Sequence, residues 1–236
     1  MKIAAIVPAY NEGLAIRNVV EELVAAGISG KINITVIVIN DCSTDNTGEI
    51  VDHLPCVALH LPVNLGIGGA VQTGYKYALE NNFDFAVQVD GDGQHPAMQI
   101  PEMVSSAIEN NWDVTIGSRF ITGEGFQSSG LRRAGIKYFS KLNYLLSGIK
   151  VFDTTSGFRL LNRKALSIVS ENYPDEYPEP EAILIYAKHK LKVGEIPVQM
   201  RERQGGISSI SGIGGLYYMG KVTLACLFTK IRRLRN

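Results

Sequence analysis

The strongest constraint on this chain is an alternation within residues 2–94. Four apolar, β-branched runs each end in a short polar cluster, and a segment with helical spacing follows each of the first three. Residues 2–7 run into Pro8–Glu12, 34–39 into 41–45, 56–61 into 64–69, and 85–89 into 90–94. Residues 14–26, the segment after Thr44 and residues 68–80 have helical spacing. Continuous apolar runs mark strands covered on both faces, and their alternation with helices implies a parallel, doubly wound α/β sheet. Ligands of such sheets collect beyond the carboxyl ends of the strands. All four polar clusters fall there, so they are expected to form one site.

The second half is less regular. Residues 114–116 read as a strand leading into Gly117-Ser118-Arg119, and 123–130 as a Gly/Ser-rich loop. A helix carrying Arg132, Arg133, Lys137 and Lys141 comes next, then a polar turn at 153–158. Residues 164–170 and 181–189 read as helices, 173–180 as a Pro-rich acidic loop, and 192–198 as a strand. Residues 205–215 are again rich in Gly and Ser. The expected division is a catalytic domain over 1–204, with a nucleotide half to about 118 and an acceptor half over 119–204. Residues 205–236 form an appendage.

Bulk properties narrow the functional classes. Hydrophobic residues make up 45% and charged residues 19% of the 236, enough apolar material for a folded core. Formal net charge is zero, so no overall field draws the chain to nucleic acid. Cys42, Cys56 and Cys226 form neither a disulfide framework nor a zinc cluster, which fits a reducing, cytoplasmic setting. The lysine and short apolar run at the N-terminus end at Pro8 and read as a strand rather than a signal peptide. Residues 216–228 are mostly apolar and lead into Lys230, Arg232, Arg233 and Arg235. That is too short to span a bilayer, but it suits a helix lying on a membrane surface or packed on protein.

Asp90-Gly91-Asp92-Gly93-Gln94 carries the sharpest chemistry. Two carboxylates separated by one small residue face one hard cation, and Gln94 adds a neutral oxygen, so Asp90, Asp92 and Gln94 are the expected metal ligands. Mg2+ or Mn2+ there neutralises a diphosphate. A plain turn is the competing reading, because Asp and Gly are turn formers. Placement at a strand tip beside three other polar loops favours the site. Asp41, at another tip, is placed to accept hydrogen bonds from a nucleoside, whereas Asp45 reads as a helix cap. Residues 64–70 fall short of the dinucleotide fingerprint, and their glycines suit close backbone approach. Arg119, Arg132, Arg133 and Arg203 are candidates for phosphate recognition. For at least one of Arg132 and Arg133, surface solvation is the better reading. His95 reads as an ordinary exposed histidine, and no nucleophile elbow supports hydrolase chemistry.

These residues resemble the family 2 glycosyltransferases of the GT-A fold over nearly the whole chain. Residues 7–12 look like the family's opening motif, 41–47 like its nucleotide-contacting turn, and 90–96 like its metal-binding motif. Residues 117–119, 153–159 and 203–209 resemble the dolichyl- and polyprenyl-phosphate sugar transferase branch. The resemblance implies one Rossmann-like GT-A domain, with a mostly parallel twisted sheet between helices and a C-terminal interfacial or packing helix. It implies that Pro8, Tyr10, Glu12, Asp41, Asp90 and Gly91 hold a nucleotide-sugar donor, a UDP-sugar above others. Asp92, Arg119, Glu181 and Arg203 are the implied catalytic set. Arg119, Arg132, Arg133 and Ser208 are the implied contacts of an acceptor phosphate.

Two departures bear on the acceptor. Ser208-Ser209 stands where the family motif often ends in Ser-Lys. The Glu-Asp pair that supplies a base to hydroxyl acceptors is missing, with Glu181 the nearest substitute. A phosphate acceptor is already anionic and needs little base assistance, so a polyprenyl phosphate is favoured over a glycan hydroxyl. The expected location is peripheral, on the cytoplasmic face of a membrane through the C-terminal segment. Homo-oligomerisation stays open, and a nucleotide-sugar-binding protein without turnover is the alternative from another class.

Overall fold

A computed structural model describes residues 1–122, 130–201 and 213–232, with side chains omitted at 130–133 and 213–216. Seven strands form one sheet: β1 (Lys2–Ala9), β2 (Asn33–Asn40), β3 (Val57–His60), β4 (Phe85–Gln88), β5 (Val114–Ser118), β6 (Arg159–Asn162) and β7 (Val193–Pro197). Their spatial order is β3-β2-β1-β4-β6-β5-β7. Every pairing is parallel except those of β6, which runs antiparallel to both β4 and β5. The helices are α1 (Ile16–Gly30), α2 (Thr47–Asp52), α3 (Gly66–Glu80), α4 (Ile100–Glu109), α5 (Gly130–Ser147), α6 (Arg163–Val169), α7 (Pro178–Lys188) and α8 (Ile213–Ile231). The observed fold is thus the expected α/β domain with a mostly parallel sheet and a C-terminal helix.

Strand alternation explains the two layers. Ile3, Ala5 and Val7 of β1 pack with Val36 and Val38 of β2 against α1 and α4. Ala4 and Ile6 pack with Ile37 and Ile39 against α3, α6 and α7. β1 is central and has no solvent face, which is why its sequence is continuously apolar rather than alternating. A third cluster joins α5, α7 and α8 around Phe139, Leu184, Tyr218 and Val222.

Three elements differ from the sequence reading, and the first is α4 at Ile100–Glu109, where no helix was expected. β6 follows the 153–158 turn, where no strand was expected. It is four residues long and opens on Arg159, so it lacks the apolar run that marked the others. The 173–180 loop ends early, because α7 starts at Pro178. Proline suits a first helical turn, and Glu179 and Glu181 there favour the positive end of the helix dipole. Among the described residues, no helix is long and apolar enough to cross a membrane.

Candidate active site

The first two strand-tip loops are bound to each other by side chains that cap backbone groups. Asn11, at φ 57°, accepts at its Oδ1 from the Thr44 N–H at 2.8 Å and the Asp45 N–H at 3.3 Å. The Asn11 N–H donates to Ser43 Oγ at 3.0 Å, and the Glu12 N–H to Thr47 Oγ1 at 2.9 Å. Desolvation alone would raise the Asp45 carboxyl, but hydrogen bonds from the Thr47 hydroxyl and from the Thr47 and Gly13 N–H groups hold it below the usual range. Asp41 is buried. Its two oxygens accept from the N–H groups of Leu65 at 2.7 Å and Gly66 at 2.9 Å, at the start of α3. It therefore ties the β2 and α3 loops together, and its expected contact with a nucleoside is limited to the remaining lone pairs. Pro8 is buried and Tyr10 exposed at the tip of β1.

The acidic turn sits against that tip. A Cβ on Gly91 would lie 3.0 Å from the Pro8 carbonyl oxygen, so a larger residue there would press the turn against the β1 tip by a few tenths of an ångström. Asp90 keeps a partly open carboxylate, and Gln88 Nε2 donates to its Oδ1 at 3.2 Å. Asp92 is buried and accepts from the Gln94 N–H at 3.0 Å. Gln94 Nε2 donates to the Arg201 carbonyl at 3.3 Å, which links the turn to the chain leaving β7. His95 is buried, contrary to expectation. Its ring stacks on Phe158 at 5.0 Å, and its Nδ1 accepts the Asp90 N–H at 2.9 Å. That bond leaves the ring proton on Nε2, which faces Asp90 Oδ2 at 3.6 Å. The histidine thus fixes the turn from beneath. Among the described residues, no three His, Cys, Asp or Glu side chains converge as a complete cation site. Asp90 and Asp92 suit a hard cation that takes its other ligands from a diphosphate.

The opposite wall is made of charges, with Asp153 and Arg159 buried and Arg119, Glu179 and Glu195 half-buried. Arg119 forms a fork with Asp153, through Nε at 2.7 Å and Nη2 at 2.8 Å, and also reaches Thr155 Oγ1 at 3.0 Å. Glu195 in turn accepts from the Phe152 and Asp153 N–H groups, at 2.7 and 2.9 Å. A Cβ on Gly157 would lie 3.2 Å from Asp90 Oδ1, so the 153–158 turn abuts the acidic one. Arg159 is fully buried. It donates to the carbonyls of Ser156 and Thr154 and lies 5.9 Å from the centre of the Tyr186 ring. Glu179, in the first turn of α7, interacts with Arg159, Asp90 and Arg119. Burial pushes its carboxyl up to about 7 against the opposing pull of Arg159, and the charge of Asp90 adds to the rise.

This sheet, with an acidic turn at its edge, is matched by comparison with known proteins. The family model described as glycosyl transferase family 2 matches residues 4–169. The chain belongs to that family. It is 32% identical to a UDP-N-acetylglucosamine–dolichyl-phosphate N-acetylglucosaminyltransferase of Methanococcus voltae, over 82% of this chain and 83% of the relative. It is 28% identical to an undecaprenyl-phosphate mannosyltransferase of Micrococcus luteus, over 90% of this chain and 88% of that one. Among solved structures, glucosyl-3-phosphoglycerate synthase from Mycobacterium tuberculosis, crystallised with Mn2+, UDP and glucosyl-3-phosphoglycerate, superposes with a TM-score of 0.70. That match has 18% identity and covers 97% of this chain and 79% of the other, which shows a shared fold. The chain is a glycosyltransferase of the polyprenyl-phosphate sugar transferase branch.

Several residues expected in the site lie elsewhere or are differently engaged. Arg119, expected to meet phosphate, is held by Asp153. Glu181 faces α8: the Thr229 hydroxyl donates to its Oε1, and it lines a cavity of about 460 Å3 with Lys221, Thr229 and Arg232, apart from the acidic turn. The side chains of Arg132 and Arg133, and all of Arg203 and Ser208, lie outside the described residues. The 64–70 glycines serve packing: a Cβ on Gly68 would fall 2.0 Å from the Pro174 carbonyl. Sequence reasoning missed His95, Asp153, Arg159 and Glu179 as parts of the wall. Their signal was present in the motifs at 90–96 and 153–159, but spacing alone does not say which side chains turn inward.

Proposed function

We propose that this glycosyltransferase moves a sugar from a nucleotide-sugar, a UDP-sugar above others, to a polyprenyl phosphate for cell-envelope glycan synthesis. A phosphate oxygen of the acceptor attacks the anomeric carbon, the bond to the diphosphate breaks, and the nucleoside diphosphate departs with inversion at the sugar. A divalent cation, Mg2+ or Mn2+, bound by Asp90 and Asp92 supplies the charge that stabilises the leaving diphosphate. The chain's own residues position the reaction. His95 and Gln88 orient Asp90. The Asn11 and Asp41 bonds fix the loops that line the donor side. Arg132, Arg133, Arg203 and Ser208 are assigned to phosphate contact. The carrying observation is the acidic turn pressed between the β1 tip and the 153–158 turn, and the named activities of the relatives support it. Peripheral attachment to the cytoplasmic face of the membrane belongs to the same reading.

A hydroxyl acceptor is the second reading, and Glu179 rather than Glu181 carries it. A carboxyl poised near 7 beside Asp90 suits a general base. Radiolabel transfer from UDP- and GDP-sugars to short polyprenyl phosphates and to glycans, with manganese or with chelator, decides between them. Lipid-phosphate labelling that disappears in chelator is the expected result. Undiminished transfer in chelator would remove the metal role, and glycan labelling alone would establish the second reading.

A further inference from the structure

A histidine outside every motif is joined to the donor side by an unbroken run of hydrogen bonds. His60 closes β3, where it pairs in register with Asn40, the last residue of β2. Its Nε2 lies 2.9 Å from Oδ1 of Asp52, at the end of α2, and its Nδ1 lies 3.0 Å from Asn40 Nδ2. Asn40 is buried, and its Oδ1 accepts the Ser43 N–H at 3.1 Å. Ser43 Oγ accepts the Asn11 N–H at 3.0 Å, and Asn11 Oδ1 accepts the Thr44 N–H at 2.8 Å. The run starts at an exposed carboxylate on α2 and ends in the two loops that line the donor side.

Each link fixes the polarity of the next. Asn40 Oδ1 is taken by a backbone N–H, so the amide nitrogen faces His60, and it can only donate. His60 Nδ1 is therefore the bare ring nitrogen, and the ring proton sits on Nε2, where Asp52 accepts it. A second proton has one place to go, Nδ1, and there it meets the Asn40 NH2 group. Relief requires turning the ring away or inverting the Asn40 amide, and inversion would set that NH2 against the Ser43 N–H. A Cβ on Gly48 would lie 2.9 Å from Asn40 Nδ2, so α2 packs closely on the amide and leaves it little room. Two neighbours pull in opposite directions: the Asp52 carboxylate favours the imidazolium, and the Asn40 amide opposes it. Other titratable groups nearby are otherwise engaged. Burial, and then the Asp52 charge, raise the Cys56 thiol, which stays neutral, and His53 is turned to the Glu49 carbonyl.

We propose that His60 is a positioning residue for the nucleotide-sugar donor, which holds the 41–47 turn in shape through Asn40 only while its ring is neutral. It rests on the reading above in assigning that turn to the donor, and it adds to that reading a residue from the tip of β3 and a dependence on pH. Histidine is the side chain that changes charge between about pH 5 and 8. The two partners of the ring, Asn40 and Asp52, lie outside the acidic turn, so the effect falls on donor affinity and not on bond breaking.

Calorimetry of the full chain with Mn2+ and UDP, or GDP in its place, tests this between about pH 7.5 and 5.5. Nucleotide binding by the parent is expected to weaken on acidification. His60→Leu removes the acceptor and is expected to bind about three- to tenfold more weakly at the upper pH. His60→Asn places an uncharged acceptor where Nδ1 stood, so it is expected to bind like the parent at the upper pH and to lose less affinity in acid. The nucleotide phosphates and the metal-site carboxylates titrate in all three proteins, so the difference between parent and His60→Asn isolates the ring. In transfer assays the loss in His60→Leu is expected in the donor KM, with kcat within about twofold. Identical pH profiles for parent and His60→Asn, parental affinity in His60→Leu, or a loss confined to kcat each overturn the proposal and leave the donor reading standing. A parent that binds neither nucleotide at any pH removes the donor reading and this proposal with it.

Discussion

From β3 to β4 the loops are fixed by local, mostly uncharged devices; from β6 to β7 they are fixed by buried charges. On the first side, Asn11, Ser43 and Thr47 accept from backbone N–H groups of neighbouring loops, and Asp41 caps α3. On the second, Asp153 is buried beneath Arg119, Arg159 has no solvent contact, and Asp113 gathers Lys164, Asn162 and the Lys192 N–H. The difference teaches where each side is fragile. A lost cap leaves one polar group that water or a neighbour can satisfy, whereas a lost partner of a buried ion leaves an uncompensated charge.

The acidic turn lies where the two sides meet, and substitution there should have the largest effect. Asp92→Ala is expected to lower sugar transfer by on the order of 10²–10³-fold or more, measured with saturating metal and with the fold checked by circular dichroism. Residual activity that no longer responds to manganese would separate the metal role from a purely structural one.

Paired substitutions probe the contrast itself. Asp153→Ala strands the Arg119 guanidinium and is expected to cost about 3–5 kcal/mol. Asp41→Ala removes a cap and is expected to cost about 1–2 kcal/mol. In thermal melts these differ clearly, at about 2–4 °C per kcal/mol for a domain of this size. Equal losses would show that the two sides are held by the same means.

The smallest effects sharpen the assignment of the two α7 carboxylates. The Glu179 carboxyl lies at about 7 in the folded protein against 4.5 ordinarily, so the native state holds its proton more tightly than the unfolded chain. That stabilisation is complete below about pH 4.5 and is lost as pH rises through about 7. Glu179→Gln is therefore expected to hold its melting temperature better than the parent between those values. Glu181→Gln should leave both that profile and transfer within about twofold, because its carboxylate faces α8. A large loss of transfer in Glu181→Gln alone would return the base role to that residue.

Much of the donor side was legible in the sequence because its information is local. An apolar run, a polar tip and a helix-spaced segment occupy consecutive residues, so β1 to β4 and the Asp90–Gly91–Asp92 turn could be read in order. The wall opposite was not legible. β6 is too short and opens on a charge, Glu179 and Glu181 differ by two positions yet face different neighbours, and Arg119 meets a carboxylate 34 residues away.

The family, the α/β fold and the acidic turn are properties of residue order, because period and composition act over short stretches. Which oxygen each arginine meets, which α7 carboxylate feels the charge of Asp90, and that α5 comes to lie beside α8 were decided only by tertiary packing. Hydrophobic burial brings distant segments together, and the charges they carry are then settled by the neighbours they find.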